Sequence, residues 1–231
     1  MRSNMSSYKE FEEKIGYSFQ NRNLLENALT HSSFSNEKHW SYERNNERLE
    51  FLGDAVLELV SSDFIFHEYP SDMEGTMTKL RASLVCEQSL AESARELTLG
   101  RYIRLGRGEA RTGGGDRDSI LSDAFEAVIG AIYLDGGLEH ASAFIRRFVL
   151  SDIEEKQLFY DSKTVLQEMI QSKETNTLSY ELVSSSGPDH AKVFEVRCLL
   201  NGEPVGEGSG KSKKAAEQQA AYQAILKLRN V

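Results

Sequence analysis

The stretch that decides the fold spans residues 46–58 and reads Asn46-Glu47-Arg48-Leu49-Glu50-Phe51-Leu52-Gly53-Asp54-Ala55-Val56-Leu57-Glu58. Its apolar residues recur at helical spacing, which predicts an amphipathic helix that continues to about Glu68 and stops before Pro70. The apolar stripe comprises Leu49, Leu52, Val56, Leu59 and Val60. At ~100° per residue, four acids fall within an arc of about 80° nearly opposite this stripe, namely Glu47, Glu50, Asp54 and Glu58. Like charges at i,i+4 oppose helix formation by about 0.2–0.5 kcal/mol per pair, so the row predicts either a bound cation or an ordinary solvated face.

A second acidic helix is predicted at residues 122–133, which read SDAFEAVIGAIY. Its apolar face is formed by Phe125, Val128, Ile129 and Ile132. Asp123 and Glu126 lie at i,i+3 on the other side, beside the small residues Ala127 and Gly130. Small residues let a neighbouring helix come close. Two helices that each present paired carboxylates predict a site for a hard divalent cation.

The composition is that of a chain with real hydrophobic cores, because 39% of its 231 residues are hydrophobic. This length is enough for one or two domains. Residues 1–13 lack the apolar segment of a secretory signal, and no apolar run approaches the ~18 residues of a membrane helix. The two cysteines, Cys86 and Cys198, form no CxxC pair, which argues against a zinc or disulfide framework. We therefore expect a cytoplasmic protein without a membrane partner.

The formal charge of −9 is unevenly distributed along the chain. From Ser162 onward, 9 basic residues face 8 acidic ones, which leaves 18 basic against 28 acidic before that point. The front part therefore carries −10 and the tail +1. Any basic surface that binds a nucleic acid must be local rather than global.

The hydrophobic period divides the chain into two domains. Residues 7–150 are predicted to be all α-helical, with an Asn of Asn21-Arg22-Asn23 available as a helix N-cap and with 107–117 as a connection. Residues 151–161 are charged and unpatterned, as expected of a linker. Residues 162–231 predict an α+β domain in the order α-β-β-β-α, with strands at 178–183, 193–200 and 205–208 and a hairpin turn at Asn201-Gly202. A closing helix is predicted at 215–228.

The glycine-rich segment at residues 206–212, GEGSGKS, is similar to a phosphate-binding loop but lacks its first glycine, since position 205 is Val205. Only short hairpin strands precede it, whereas a phosphate-binding loop joins a buried strand to a helix. We therefore expect no nucleotide cofactor.

Taken together, these motifs resemble a known family over nearly the whole chain. Residues 46–55, NERLEFLGDA, resemble the signature of bacterial ribonuclease III, and residues 122–127, SDAFEA, resemble its second catalytic segment. Residues 161–168, 187–190 and 211–217 (DSKTVLQE, GPDH and KSKKAAE) resemble the three contact regions of a double-stranded-RNA-binding domain. The resemblance implies a homodimeric endonuclease that cuts double-stranded RNA with Mg²⁺ and leaves 5′-phosphate and 3′-hydroxyl ends. Precursors of ribosomal RNA and structured mRNAs are the substrates it implies.

The resemblance also implies roles for individual residues. Glu50, Asp54, Asp123 and Glu126 would form the metal-binding cluster, with Asp54 and Glu126 as the catalytic pair. Glu47 and Glu74 would line the cleft near the scissile strand. Phe51 projects on the acidic side of its helix and would insert into a pocket on the partner subunit; the alternative is a misplaced core aromatic.

The chemistry of phosphodiester cleavage agrees with such a cluster, because Mg²⁺ can activate water and offset charge on the phosphate. Four acids suit one or two ions, and we expect Mn²⁺ to substitute. A di-iron bundle would require Glu-x-x-His, and none of the five histidines has Glu three positions earlier.

The predicted RNA-binding residues lie in three places in the tail. Thr164, Gln167 and Gln171 form a polar stripe suited to the minor groove, whose 2′-hydroxyls identify RNA. The turn with Pro188 and His190 would enter the next minor groove. Lys211, Lys213 and Lys214 open the closing helix, where the dipole favours phosphate, although a lysine cluster can also serve solubility alone. The alternative for the whole chain is a regulator that binds duplex RNA without cutting it.

Overall fold

The structure is a computed structural model that describes residues 2–151, 153, 158, 162–171, 176–187, 192–210 and 212–229, with the side chains of residues 2–7, 42 and 171 excepted. The chain separates into two compact units, residues 1–151 and 152–231. Most residues between 152 and 161 lie outside the described part. The limits predicted for the two domains and the linker therefore stay predictions.

The first unit is helical, as the sequence predicts. Its α-helices are α1 (Arg2–Ile15), α2 (Arg22–Ala28), α3 (Ser32–Glu37), α4 (Glu47–Glu68), α5 (Glu74–Val85), α6 (Glu87–Glu96), α7 (Arg107–Arg111), α8 (Asp118–Gly136) and α9 (Leu138–Phe148). Short 3-10 turns occupy Tyr42–Arg44, Leu99–Arg101 and Gly114–Asp116. The Asn21 side chain caps α2 by accepting a hydrogen bond from the Asn23 backbone N–H.

Helix α8 is the centre of this unit. It packs against α2, α4, α6 and α9, and apolar residues on almost every side of it are buried, including Leu121, Phe125, Ile129 and Ile132. A helix that is apolar nearly all round must be enclosed by other helices. The acids of α8, Asp123 and Glu126, are only partly buried and lie on the side of the helix that faces α4.

Helices α4 and α8 cross at two glycines. A Cβ atom on Gly53 would overlap the backbone carbonyl of Glu126, and a Cβ atom on Gly130 would overlap that of Leu49. The two backbones are therefore in direct contact, which only glycine permits. The close approach that the small residues predict is present, and it places the acidic rows of the two helices next to each other.

Within the described part of the first unit, the structure differs from the sequence predictions in the apolar stripe of α4 and around the connection at 107–117. Leu59 was expected in the apolar stripe of α4 but its side chain is 58% exposed, whereas Leu57 is fully buried. The connection at 107–117 contains helix α7 and a 3-10 turn, and α8 begins at Asp118 rather than at Ser122. Where a helix begins, and which residues of its apolar stripe are buried, depend on the neighbouring helices. The local sequence pattern carries no information about those neighbours.

The second unit has the predicted order α-β-β-β-α. Helix α10 (Ser162–Gln171) precedes strands β1 (Leu178–Ser186), β2 (Val193–Leu200) and β3 (Glu203–Gly210), and α11 (Lys213–Arg229) follows. The antiparallel sheet has the order β1-β2-β3, with Asn201 and Gly202 at positive φ in the second hairpin turn. The core lies between the helices and the sheet, where these residues are buried: Leu166, Ile170, Val196, Cys198, Ala216, Ala220, Ala221, Ala224 and Ile225.

The glycine-rich segment that is similar to a phosphate-binding loop belongs to strand β3. A Cβ atom on Gly206 or Gly208 would overlap the backbone of α11 at Ala220. These glycines therefore let the closing helix lie directly on the sheet. Contact between helix and strand, rather than phosphate binding, accounts for a glycine at every second position of β3.

Candidate active site

The site lies at the crossing of α4 and α8. Glu50 and Asp54 flank Gly53 on α4, while Asp123 and Glu126 occupy the facing turn of α8. Glu50, Asp123 and Glu126 are half-buried, and Asp54 is exposed. Because the helix backbones touch at the glycines, these carboxylates share one partly desolvated cleft.

Glu126 has the most strongly shifted acidity of the four. Its pKa is raised to about 8, first by burial and then by the negative charges of Asp54, Glu50 and Asp123, with a smaller contribution from Glu58. Each of these charges disfavours a second anion nearby. The acids of both helices therefore lie within electrostatic reach of Glu126.

Glu50 shows the same pattern from the other helix. Burial raises its pKa to about 7, and the nearby carboxylates of Asp123, Glu47 and Asp54 contribute in that order. Near neutral pH the cluster therefore holds protons in place of some of its negative charge. A divalent cation would displace those protons and neutralise the same repulsion.

Asp123 has two neighbours that sequence reasoning missed. Burial raises its pKa, a hydrogen bond from Ser122 lowers it, the charge of Glu87 raises it and His31 lowers it. Glu87 is the first residue of α6 and no sequence signal connects it with Asp123. His31 stands in the segment Thr30-His31-Ser32-Ser33 that precedes the acidic helix, but nothing in the local pattern assigns it a role.

Three other acids have different surroundings, and Glu74 lines a cavity with Ser62 and Phe66, more than three turns of α4 beyond Glu50. Glu47 is exposed at the start of α4, where Asn45 donates a side-chain hydrogen bond to it at 3.3 Å. Glu74 is exposed at the start of α5 and accepts a hydrogen bond from the Thr78 hydroxyl at 3.0 Å. Glu58 forms an ion pair with Arg81 at 2.7 Å, so it is less available to a metal than the other acids of α4.

The donor set fits magnesium. All four clustered side chains offer carboxylate oxygens, which hard cations prefer. Within the described residues, no three acidic, histidine or cysteine side chains already stand as a preformed ligand set for a metal. Mg²⁺ does not require one, since it is usually held by one or two carboxylates together with waters and substrate phosphates.

An exposed apolar stripe borders the acidic row on α4. Phe51 is 80% exposed, and Leu59 and Phe66 lie two and four turns further along nearly the same face, both more than half exposed. At the far end of this stripe is a cavity of about 290 Å³ lined by residues of α4 and α5, namely Ser62, Ile65, Phe66, Glu74, Met77, Thr78 and Arg81. A cavity of about 150 Å³ already holds a benzene ring, so a phenyl side chain would fit.

The second unit presents part of the predicted RNA surface. Thr164 and Gln167 are exposed on α10, and Lys213 and Lys214 are exposed in the first turn of α11. The Ser212 hydroxyl caps α11 by accepting from the Ala215 N–H at 3.1 Å. Pro188, His190, Lys211 and the side chain of Gln171 lie outside the described residues.

The fold and the site together define a class of protein: a helical domain with a carboxylate-rich cleft, followed by an α-β-β-β-α module with lysines at a helix N-terminus. A sequence model described as Ribonuclease-III-like matches residues 21–153, and one described as a double-stranded RNA binding motif matches residues 162–228. The chain therefore belongs to the ribonuclease III family, and its enzymatic class is that of an endoribonuclease.

Individual relatives agree over nearly the full length. A Ribonuclease 3 of Listeria monocytogenes is 45% identical over 97% of this chain and 99% of its own length. A Ribonuclease 3 of Pelotomaculum thermopropionicum is 49% identical over 93% of this chain and 90% of its own. The solved nuclease domain of ribonuclease III from Campylobacter jejuni, described as flexible in a region involved in dimer formation, is 47% identical with a TM-score of 0.57, and it covers 61% of this chain and 94% of that one.

Two broader properties follow from family and fold. The ribonuclease III family is generally metal-dependent, which agrees with the carboxylate cleft. Among the helices that the structure describes, none combines the length and the apolar character needed to cross a membrane.

Proposed function

We propose that this chain is a Mg²⁺-dependent endoribonuclease that cleaves double-stranded RNA and leaves 5′-phosphate and 3′-hydroxyl ends. The observation that carries the proposal is the meeting of Glu50, Asp54, Asp123 and Glu126 at the glycine crossing, where neighbouring carboxylates help to raise the pKa of Glu50 and of Glu126. Carboxylates gathered in a partly buried cleft are costly for the fold. Their presence in a chain that also carries an RNA-binding module is explained if the cluster binds a cation that also binds the phosphate backbone.

The four clustered acids would hold the metal, with Asp54 and Glu126 as the catalytic pair. When bound, Mg²⁺ lowers the pKa of a water nucleophile and offsets charge that develops on the phosphate and the leaving oxygen. Glu126 would hold the cation as a carboxylate, and its pKa of about 8 in the metal-free cluster means that metal binding would release its proton. Glu47, exposed at the start of α4, and Glu74, exposed at the start of α5, would face the scissile strand. One or two ions fit this donor set, and Mn²⁺ would substitute.

The enzyme would act as a homodimer. Three exposed apolar side chains on one helix face, with Phe51 at 80% exposure, form the kind of surface that a second copy would bury. In a two-fold arrangement Phe51 of each copy would enter the cavity between α4 and α5 of the other. Each RNA strand would then meet one acidic cleft.

Replacement of Phe51 by Ala tests this arrangement. We expect the variant to sediment as a monomer at concentrations at which the wild type is dimeric, because the substitution removes the side chain that fills the cavity. The control is Leu138→Ala, which shortens another exposed apolar side chain on α9. An F51A variant that stays fully dimeric would contradict the assignment.

The second unit would bind the duplex by its shape. Thr164 and Gln167, together with Gln171, would contact one minor groove, and the turn with Pro188 and His190 would contact the next. Lys213 and Lys214 sit at the positive end of a helix dipole without any acid in the first turn of α11. This arrangement is unfavourable by itself, and phosphates held by these two lysines and Lys211 would offset it.

Glu126→Gln tests the nuclease proposal against the alternative of a regulator that only binds RNA. We expect cleavage of a long duplex to be abolished while binding in Ca²⁺ keeps the wild-type Kd, since the substitution removes a metal ligand and leaves the second unit intact. Glu68→Gln, an exposed position at the end of α4, is the matched control. Wild-type cleavage by the Glu126 variant would overturn the site, and a wild type that binds duplexes without cutting them in Mg²⁺ or Mn²⁺ would favour the regulator.

The cellular role remains part of the proposal. Ribosomal-RNA precursors and structured mRNAs contain long duplexes of the kind this enzyme would cut, and both are found in the bacterial cytoplasm, where we expect it to act.

A further inference from the structure

An ion pair joins the two helices of the second unit. The Lys163 ammonium on α10 donates a hydrogen bond to the Glu217 carboxylate on α11, with 2.6 Å between Nζ and Oε2. The Glu217 side chain is only 17% exposed, and that of Lys163 is 37% exposed. The pair is therefore partly withdrawn from water, which weakens it less than it would weaken a pair on an open surface.

The sheet holds the ammonium of this pair from a second side. Lys163 Nζ lies 4.8 Å from the centroid of the Tyr180 ring on β1, and the face of an aromatic ring attracts a cation. Tyr180 itself packs against the buried core of the unit. The place of the Lys163 charge is therefore fixed by contacts with both a helix and a strand.

Glu217 has two other cations within reach on its own helix. Lys213 and Lys214 precede it by four and three residues, and side chains at these spacings are neighbours on a helix, with about 5–6 Å between their Cβ atoms. Both lysines are exposed, and neither has an ion-pair partner in the part of the chain that the structure describes. The Glu217 carboxylate therefore pairs across to α10 while the lysines of its own helix stay open.

This choice of partner matters for a surface that binds phosphate. A lysine that is paired with a carboxylate must give up that pair before it can hold a phosphate oxygen. A carboxylate that is left unpaired beside the lysines repels the RNA backbone. Lys163 prevents both effects, because it neutralises Glu217 from another helix.

We propose that Lys163 is a positioning residue for duplex binding, which keeps the Glu217 carboxylate away from Lys213 and Lys214. This inference rests on the proposed function, since it takes these two lysines as phosphate contacts. Lys163 acts through Glu217 and need not touch the RNA itself.

Lys163→Met tests the role of the charge, because Met keeps an unbranched stem beside the Tyr180 ring and adapts to its surroundings. Binding of the full chain to a long RNA duplex is measured by filter binding in Ca²⁺ at several salt concentrations. We expect K163M to bind about 2- to 5-fold more weakly than the wild type, the effect of one exposed ion pair that forms in the wrong place. Lys163→Arg, which keeps the pair, should bind as the wild type does.

Removal of the released carboxylate is the decisive step. The double variant K163M/E217Q should recover the wild-type Kd, because no carboxylate then competes for the lysines. The matched control is K163M/E168Q, which has the same net charge but loses an exposed acid of α10 instead; it should bind as weakly as K163M. Wild-type binding by K163M, no recovery in K163M/E217Q, or equal recovery in both double variants would each overturn the inference.

Two more variants complete the test. If K163M melts the second unit in a circular dichroism scan, Glu217→Gln alone decides: it should bind the duplex at least as tightly as the wild type, and weaker binding contradicts the inference. Replacing Lys213 and Lys214 by Ala separates this inference from the proposed function. If that variant keeps the wild-type Kd, the phosphate site itself is wrong, whereas if it binds weakly and K163M does not, only the role of Lys163 is wrong.

Discussion

Replacement of Glu126 by Gln should make the RNA-free protein more stable at neutral pH, even though it destroys activity. In the folded chain burial and four neighbouring carboxylates raise the pKa of Glu126 from 4.5 to about 8. The folded state therefore binds this proton more tightly than the unfolded state does, so stability is highest below pH 4.5 and is lost as the pH rises to about 8. Gln has the same shape as protonated Glu and does not titrate, so it avoids this loss.

The magnitude follows from the two pKa values. The difference between 4.5 and about 8 is worth at most about 4.8 kcal/mol at high pH and about 3.4 kcal/mol at pH 7. Because Glu126 is only half-buried, solvent screening should reduce these values by about half. We therefore expect the variant to gain about 0.4 kcal/mol at pH 5, about 1.7 kcal/mol at pH 7 and about 2 kcal/mol at pH 8.

Urea denaturation followed by circular dichroism at pH 5, 7 and 8 measures this gain, with chelator present to remove divalent ions. The Glu68→Gln control should show almost no change at any pH, since its side chain is exposed. Addition of Mg²⁺ should stabilise the wild type and have little effect on the variant, because only the wild type binds the cation at full strength. A gain that is the same at pH 5 and pH 8, or a loss of stability at pH 8, would refute the electrostatic origin of the shift.

Two further predictions concern the RNA-binding lysines and the helix crossing. Replacing Lys213 and Lys214 together by Ala should weaken binding to duplexes of any sequence and reduce the slope of log K against log salt by about one per lost phosphate contact. The control, Lys227→Ala at the far end of α11, should change neither quantity. Unchanged affinity of the double variant at low salt in a filter-binding assay would remove the lysines from the interface. Gly53→Ala should destabilise the protein by about 1–3 kcal/mol in urea denaturation, because its Cβ would overlap the backbone of α8. The control is Gly75→Ala, whose Cβ would meet open space and should be tolerated. Equal stability of the two variants would contradict the backbone contact.

Local patterns in the sequence were sufficient for the acidic rows and for most of the elements, although they missed the helix at Arg107–Arg111. The helical period of residues 46–68 needs no partner to be recognised, and Asn21 caps α2 because its short side chain reaches the orphan N–H groups of its own helix. Asn201-Gly202 makes its turn because these residue types tolerate positive φ. The family resemblance rests on the same local motifs, which is why it could be stated before any contact was known.

Tertiary structure alone decided the state of the site. Leu57 rather than Leu59 faces the core because α8 and its neighbours approach α4 from that side. The raised pKa values of Glu50 and Glu126 require acids from two helices to meet in a partly desolvated cleft. Periodicity reports on neighbours within a few residues, whereas desolvation and Coulomb interaction depend on distance in space, so the acidity of the cluster emerges only when the helices are packed.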